Sequence, residues 1–354
     1  MPFPWVVALA AIALATSGAA RAADVRVGLA APLSDTMAIL GGQLRAGAEM
    51  AAREANAELV IVDDRCTADG GALAAREFVR QDVQVVVGFL CTEAIEAALP
   101  ILTEAGIPVI TSGVRSDGLT DRHVRTGWLV WRIAPRADAE RAAAASILTR
   151  LWRDDLFAIV DDGTIYGREL SESLRLAVET AGLKPVFIDT YRPQSENQIG
   201  LVGRLRRSGA THVFVGGDRD DVGIMARDAA GLDYPLTIAG GEALRSAGDV
   251  PLAEGTLMIA TPEWAEMLDE GAVAMFDAEG TIPEGYVVPS YASVEVALQA
   301  IEQAAAGSDS VAAALRDGSF QTLLGEITFD EKGDLTTNPF QLLRFDGERF
   351  LPTE

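Results

Sequence analysis

Cysteine and histidine are scarce in this chain: two of each, Cys66, Cys91, His123 and His212, in 354 residues. Four such residues, this scattered, do not make a zinc site, so no metal is expected. Two distant histidines also leave no Ser-His-Asp set from which to build an enzyme. Basic residues are outnumbered, 29 Lys and Arg against 52 Asp and Glu, for a formal net charge of −23. That balance argues against nucleic acid as a partner, because phosphate contacts demand clustered Lys and Arg. It bears on solubility and association more than on any one site. A Gly-rich phosphate loop is absent, no cofactor is expected, and there is neither a low-complexity segment nor a flexible linker. Beyond the first residues, no segment has the length and apolarity to span a membrane.

The first residues stand apart. Val6 to Ala15 is a short apolar run, followed by Ser17-Gly18 and then Ala20-Arg21-Ala22, an A-x-A cleavage pattern. Residues 1–22 therefore read as a secretory signal peptide, although only the terminal amine supplies charge ahead of the apolar run. The alternative is an N-terminal anchor helix, but the run falls short of the roughly 20 residues a bilayer span needs. In an exported protein a lone pair of cysteines most simply forms one disulfide, Cys66 to Cys91. Closing that loop is worth roughly 3–4 kcal/mol on the chain-entropy model. Cys91 as a nucleophile would need a basic partner, and none is local.

What the sequence does contain is one construction used twice. VQVVVGFLCTEAIEAALPILTEAGIPVITSG, from Val83 to Gly113, is an apolar strand, a turn, a helix and a second strand. THVFVGGDRDDVGIMARDAAGLDYPLTIAGG, from Thr211 to Gly241, repeats the order. Both place Gly and then Pro between helix and second strand (Gly106 and Pro108; Gly231 and Pro235). Two similar α/β halves imply two lobes whose matching strand ends face each other across a cleft. Such a cleft binds something small.

The rest of the chain has the same alternation. Strands are expected at Asp24–Ala31, Glu58–Asp63, Val83–Gly88, Leu156–Val160, Pro185–Tyr191 and Thr211–Val215. Helices are expected at Gln43–Asn56, Ala72–Arg80, Glu140–Trp152, Gly167–Ala181 and Ile199–Ser208. After Thr261-Pro262 the chain is expected to return to the first lobe with a long helix around Tyr291–Ala305, ending in short strands and turns over Gly325–Phe350. The expected fold class is α/β, with two Rossmann-like lobes, each built on a parallel central sheet. Lobe 1 takes residues 23–133 and 263–340, and lobe 2 takes 134–262 and 341–354, with several short crossings that suit a hinge.

These segments resemble the type I periplasmic binding proteins of ABC importers, especially the leucine/isoleucine/valine-binding branch. The markers are VRVGLAAPLSD, VDDRC, VVVGFLC, GIPVITSG, DDGTIYGREL, AGGEAL, YVVPSYASVEVALQAIEQA and GEITFDEKGDLTTNPFQLLRF. Their order and spacing cover nearly the whole chain. The resemblance implies a two-lobe fold with a three-crossing hinge, closing on a ligand in the periplasm and docking on an ABC permease in the inner membrane. It also implies the Cys66–Cys91 disulfide. A monomeric solute-binding protein for a small polar solute (an amino acid, amide or small carboxylate) is expected; the alternative is a ligand-sensing module acting through a signalling partner.

Six candidate ligand-binding residues follow. Thr92 opens a helix, where unpaired backbone N–H groups and the helix dipole favour a carboxylate. The family places a carboxylate-binding hydroxyl residue there, and a plain capping role is the alternative. Gly113 supplies close-approach backbone at the next strand exit. Arg115 stands where relatives carry a hydroxyl; its guanidinium is suited to clamp a carboxylate bidentately or to point into solvent. Tyr166 matches the residue that covers the ligand from the second lobe. Glu242 matches the acid that pairs with the ligand ammonium; its rival role is a salt bridge to Arg115. Asp218 occupies a place where several relatives present an aromatic wall, which makes the expected guest more polar than leucine.

Overall fold

The computed structural model describes residues 25–307 and 309–353; the segment read as a signal peptide lies outside them. The first sheet is made of β1 (Arg26–Ala31), β2 (Glu58–Asp63), β3 (Val85–Gly88), β4 (Val109–Thr111) and β5 (Val130–Arg132). All neighbours are parallel, in the order β2-β1-β3-β4-β5. The second sheet begins with β6 (Phe157–Asp161), β7 (Phe187–Thr190), β8 (His212–Gly216), β9 (Thr237–Gly240) and β10 (Leu257–Ala260). A hairpin, β11 (Ser319–Thr322) and β12 (Gly325–Thr328), stands apart, and β13 (Gln341–Phe345) and β14 (Phe350–Pro352) complete the second sheet. Its order is β7-β6-β8-β9-β10-β13-β14, so the core of both sheets follows one pattern, with β1 matching β6 and so on to β10. The two last strands extend the second sheet in antiparallel fashion.

Strand burial follows the period of two. In β1, Val27, Leu29 and Ala31 join one apolar cluster while Ala30 joins the cluster on the opposite face. In β8, Val213 and Val215 face one side and Phe214 the other. Both faces of each sheet are thus covered, as parallel sheets require. The helix Val287–Ala306 is buried on nearly all sides from Val287 to Val294 and packs between β3 and the helix Ala38–Glu54, as an enclosed apolar helix does, while Glu302, Ala305 and Ala306 at its end are exposed.

Two helices begin about a turn or more earlier than their sequence pattern indicates. The expected helix from Gln43 starts at Ala38, and the one from Ala72 starts at Ala68. Their first turns contain glycines packed closely against other backbone. A Cβ on Gly41 would lie 1.9 Å from the Pro32 carbonyl oxygen, and one on Gly71 would lie 2.0 Å from that of Ala94. These glycines allow close packing inside helices; they do not end them.

The chain passes between the sheets three times: after Arg132, after Ala260 and before Gln341. The first and last passages are tied by a buried network. Arg132 is fully buried, and its Nε donates to Asp334 Oδ1 at 2.8 Å. Asp334 Oδ2 accepts from Thr120 Oγ1 and from Arg136 Nη1, both at 2.8 Å. Arg132 Nη1 also donates to the carbonyls of Ser116 at 2.7 Å and Val114 at 3.4 Å. Those carbonyls flank Arg115, whose own carbonyl accepts from Ala137 N at 2.8 Å. The passage after Arg132 and the Arg115 loop are therefore joined by hydrogen bonds.

Candidate functional site

In a parallel α/β sheet, ligands sit beyond the C-terminal strand ends. The loop leaving β4 turns on Thr111, whose Oγ1 accepts from Gly113 N at 3.3 Å and Val114 N at 3.2 Å. This turn presents Ser112, Gly113 and Arg115. The matching loop leaving β9 opens a short 3-10 turn, Glu242–Arg245. The two loops meet: Arg115 Nη1 donates to Glu242 Oε2 at 2.9 Å. Arg115 also lies over the Phe340 ring, 5.4 Å from its centroid, a cation–π placement that limits its movement.

Glu242 is held on three sides. Its Oε1 accepts from Thr261 Oγ1 at 3.1 Å, and its backbone N donates to Glu140 Oε1 at 2.6 Å. Glu140 is buried and also accepts from the Tyr166 hydroxyl at 2.7 Å. That hydroxyl in turn accepts from Ala243 N at 3.3 Å. Burial pushes the Glu140 carboxyl up, although the Tyr166 and Glu242 hydrogen bonds oppose this. Burial, and then the Glu140 charge, push the Tyr166 phenol up too, so it stays protonated and donates.

A cavity of about 290 Å³ opens around the Arg115–Glu242 pair. Ser112, Gly113, Arg115, Glu242, Trp264 and Tyr286 line it. Ser112 is 3% exposed, and its Oγ has no hydrogen-bond partner. A buried hydroxyl left unpaired beside a cavity is ready to bond a guest, since leaving it so costs about 1–3 kcal/mol. Burial pushes the Tyr286 phenol up. The cavity thus combines a guanidinium, a carboxylate, a hydroxyl and two aromatic walls. A larger cavity of about 610 Å³ lies beside β13 and β14. Two of its lining arginines, Arg245 and Arg349, are already paired, with Glu263 at 3.1 Å and Glu266 at 3.0 Å.

Of the six sequence-derived residues, Gly113, Arg115 and Glu242 come together in the smaller cavity. Tyr166 reaches the same group through Glu140, its ring about a third exposed. Thr92 and Asp218 are not among the cavity's lining residues. Thr92 is the first residue of the helix Thr92–Glu104, and Cys91 before it is bonded to Cys66. Asp218 caps the helix Arg219–Gly231, its Oδ1 accepting from Asp221 N at 3.0 Å. Ser112, Glu140, Trp264 and Tyr286 went unnoticed. Ser112 had a signal, because it directly precedes the Gly at the strand exit. Glu140 had a weaker one, as an acid at the start of an alanine-rich helix.

Comparison with known proteins identifies the family. The sequence model of the family described as "Periplasmic binding protein" matches residues 24–349. The Leu/Ile/Val-binding protein BraC3 of Rhizobium johnstonii is 29% identical over 349 residues, 94% of each chain. A leucine-, isoleucine-, valine-, threonine- and alanine-binding protein of Pseudomonas aeruginosa is 30% identical, over 93% of this chain and 92% of its own. Among solved structures, an ABC transporter substrate-binding protein of Desulfitobacterium hafniense in complex with Leu has a TM-score of 0.66 at 21% identity, covering 93% of this chain and 99% of its own. A solute-binding protein of an ABC transporter from Rhodopseudomonas palustris, in complex with 3,4-dihydroxybenzoic acid, has a TM-score of 0.61 at 18% identity, over 92% and 95% of the two chains. At such identities the solved structures establish the fold. These proteins bind solutes and are not enzymes. The chain belongs to the periplasmic binding protein family, type I, in its Leu/Ile/Val-binding-protein-like branch.

Proposed function

We propose that this chain is the periplasmic solute-binding component of an ABC importer, closing on a small zwitterionic or amide-like solute and delivering it to an inner-membrane permease. Lobe 1, residues 23–133 and 263–340, and lobe 2, residues 134–262 and 341–354, would close about the three passages between them. Thr92, Gly113, Arg115, Tyr166, Asp218 and Glu242 are the proposed ligand contacts, joined by Ser112 and Tyr286. The protein would act as a monomer.

The observation that carries this reading is the Arg115–Glu242 pair, which joins equivalent strand ends of the two sheets beside a cavity. A guest with a carboxylate and an ammonium replaces that pair with two new ones, Arg115 to its carboxylate and Glu242 to its ammonium. Both lobes then hold one molecule, so the guest favours the closed arrangement by differential affinity. Relatives named for binding Leu, Ile and Val support the amino-acid class. The experiment is a thermal-shift screen against amino acids, amides and small carboxylates, because a bound guest raises apparent stability. A shift with zwitterions, absent with matched esters and N-acetyl derivatives, supports the reading. Equal shifts with the blocked compounds contradict it.

A further inference from the structure

We propose that the guest is a basic α-amino acid, and that Asp161, Asp162, Asp218 and Asp221, with the Tyr191 hydroxyl, form the subsite for its distal ammonium or guanidinium group. This rests on the zwitterion reading above and narrows it. The four carboxylates gather where β6, β7 and β8 end, on the rim that also carries Glu242 after β9.

Their charge is not neutralised within the protein. Among the described residues none of the four takes part in an ion pair, although ion pairs are numerous elsewhere, as at Asp117, Asp121 and Asp138. Their hydrogen bonds come from backbone N–H groups and hydroxyls. Asp161 accepts from Gly163 N at 2.9 Å and Thr190 Oγ1 at 3.2 Å. Asp162 Oδ1 accepts from Thr164 N at 2.9 Å and Thr164 Oγ1 at 2.7 Å. Asp218 uses Oδ1 for its helix cap, and Asp221 accepts from Gln194 N at 3.0 Å. The second oxygens of Asp162 and Asp218 remain for a guest. The neighbouring Arg219 is turned away, donating to the Leu244 carbonyl at 2.9 Å and lying over the Phe345 ring.

Tyr191 is the independent observation. It is 5% exposed, and its hydroxyl has no hydrogen-bond partner. That hydroxyl lies against Gly217, the residue before Asp218, where a Cβ would come within 2.0 Å of it and 3.5 Å of Asp162 Cβ. Glycine at 217 thus keeps room for a hydroxyl among carboxylates. Burial, followed by the charges of Asp221, Asp162 and Asp218, pushes its phenol up, so it stays neutral and offers lone pairs to an N–H donor. The Asp221 carboxyl is likewise pushed up to about 6, by burial first and then by Asp218. Both effects reflect a local excess of negative charge that a cation would relieve.

The dimensions select the kind of cation. Among the described residues no three acidic or imidazole groups are placed to hold a metal ion, so the site suits a larger organic cation with several N–H groups. Parallel strands lie about 4.8 Å apart, so the ends of β9 and β6, with β8 between them, are roughly 10 Å apart. An α-ammonium at Glu242 and a head group between Asp218 and Asp162 fit that interval, joined by the stem of a lysine or arginine.

The test is titration calorimetry of the full mature chain with L-arginine, L-lysine, their neutral isosteres L-citrulline and L-norleucine, and agmatine. Arginine or lysine is expected to bind at least about tenfold tighter than its isostere, as a charge-assisted pair implies. Asp218→Asn, which still caps a helix, is expected to cut that preference below about threefold. A purely structural Asp218 would leave the ratio unchanged, and an unchanged ratio overturns the subsite. Neutral isosteres binding as tightly as the basic amino acids also overturn it, while the zwitterion reading stands. Binding of agmatine alone supports the cationic subsite and overturns the zwitterion reading. No binding by any of the five overturns both.

Discussion

Replacing Asp334 by alanine removes the acceptor shared by Arg132, Arg136 and Thr120. Arg132 is fully buried, so its guanidinium is left without a counter-charge and without access to water. Breaking a buried pair by deleting one partner costs about 3–5 kcal/mol. An unfolding entropy of about 2.1 cal/mol/K per residue over roughly 330 residues is about 0.7 kcal/mol/K. The expected fall in melting temperature is therefore about 4–7 °C, read by differential scanning calorimetry. Arg132→Met/Asp334→Leu removes both charges together and is expected to lose less than Asp334→Ala alone, because no unpaired ion remains. Arg132 also holds the carbonyls flanking Arg115, so Asp334→Ala should weaken solute binding as well. A melting temperature within about 1 °C of wild type would refute the claim that this pair ties the lobe passages together.

Three other outcomes are expected. Glu242→Ala should abolish binding of any amino-group solute in calorimetry while leaving the solute-free melting temperature within a few degrees, since its pair with Arg115 is part-exposed and such pairs contribute about 0–1 kcal/mol. Reduction of Cys66–Cys91, whose partners lie 25 residues apart, should cost about 3.5 kcal/mol on the chain-entropy model and lower the melting temperature by about 5 °C; the melt with and without reductant measures it. Glu295 has its pKa raised to about 7, first by burial. A raised carboxyl binds a proton in the folded state before it does so in the unfolded state, so folding gains stability as pH falls from about 8 towards 4.5. Glu295→Gln should therefore be more stable than wild type at pH 8, by about 1–3 kcal/mol, with the gain vanishing near pH 4.5 in urea denaturation.

The duplicated unit was legible because its signals are local: an apolar run for a buried strand, then Gly and Pro at the end of the helix. Residues at strand exits could be named for the same reason, and Arg115 and Glu242 do meet. The salt bridge considered as Glu242's rival role is present, and it is compatible with a later ligand role because each partner offers its charge to a zwitterion. Trp264 and Tyr286 line the cavity; Trp264 follows β10, a strand that the sequence pattern did not reveal, and Tyr286 precedes the long return helix with no strand exit to mark it. Glu140 acts through Tyr166 and Glu242 N, contacts across 26 and 102 residues that no local pattern encodes. Asp218 caps a helix with one carboxylate oxygen, a contact that the sequence reading of it as a pocket wall did not include.

Closure of two lobes on one guest is tested most directly by a distance across the cleft. Asp69 and Glu172 are exposed residues of helices on the first and second sheets. Spin labels at Asp69→Cys and Glu172→Cys report their separation by pulsed electron paramagnetic resonance during titration with L-arginine and L-leucine. A guest that binds wild type should shift the distance distribution to a shorter mean, and the shift should vanish with Glu242→Ala. Calorimetric binding with an unchanged distribution would contradict closure between the lobes.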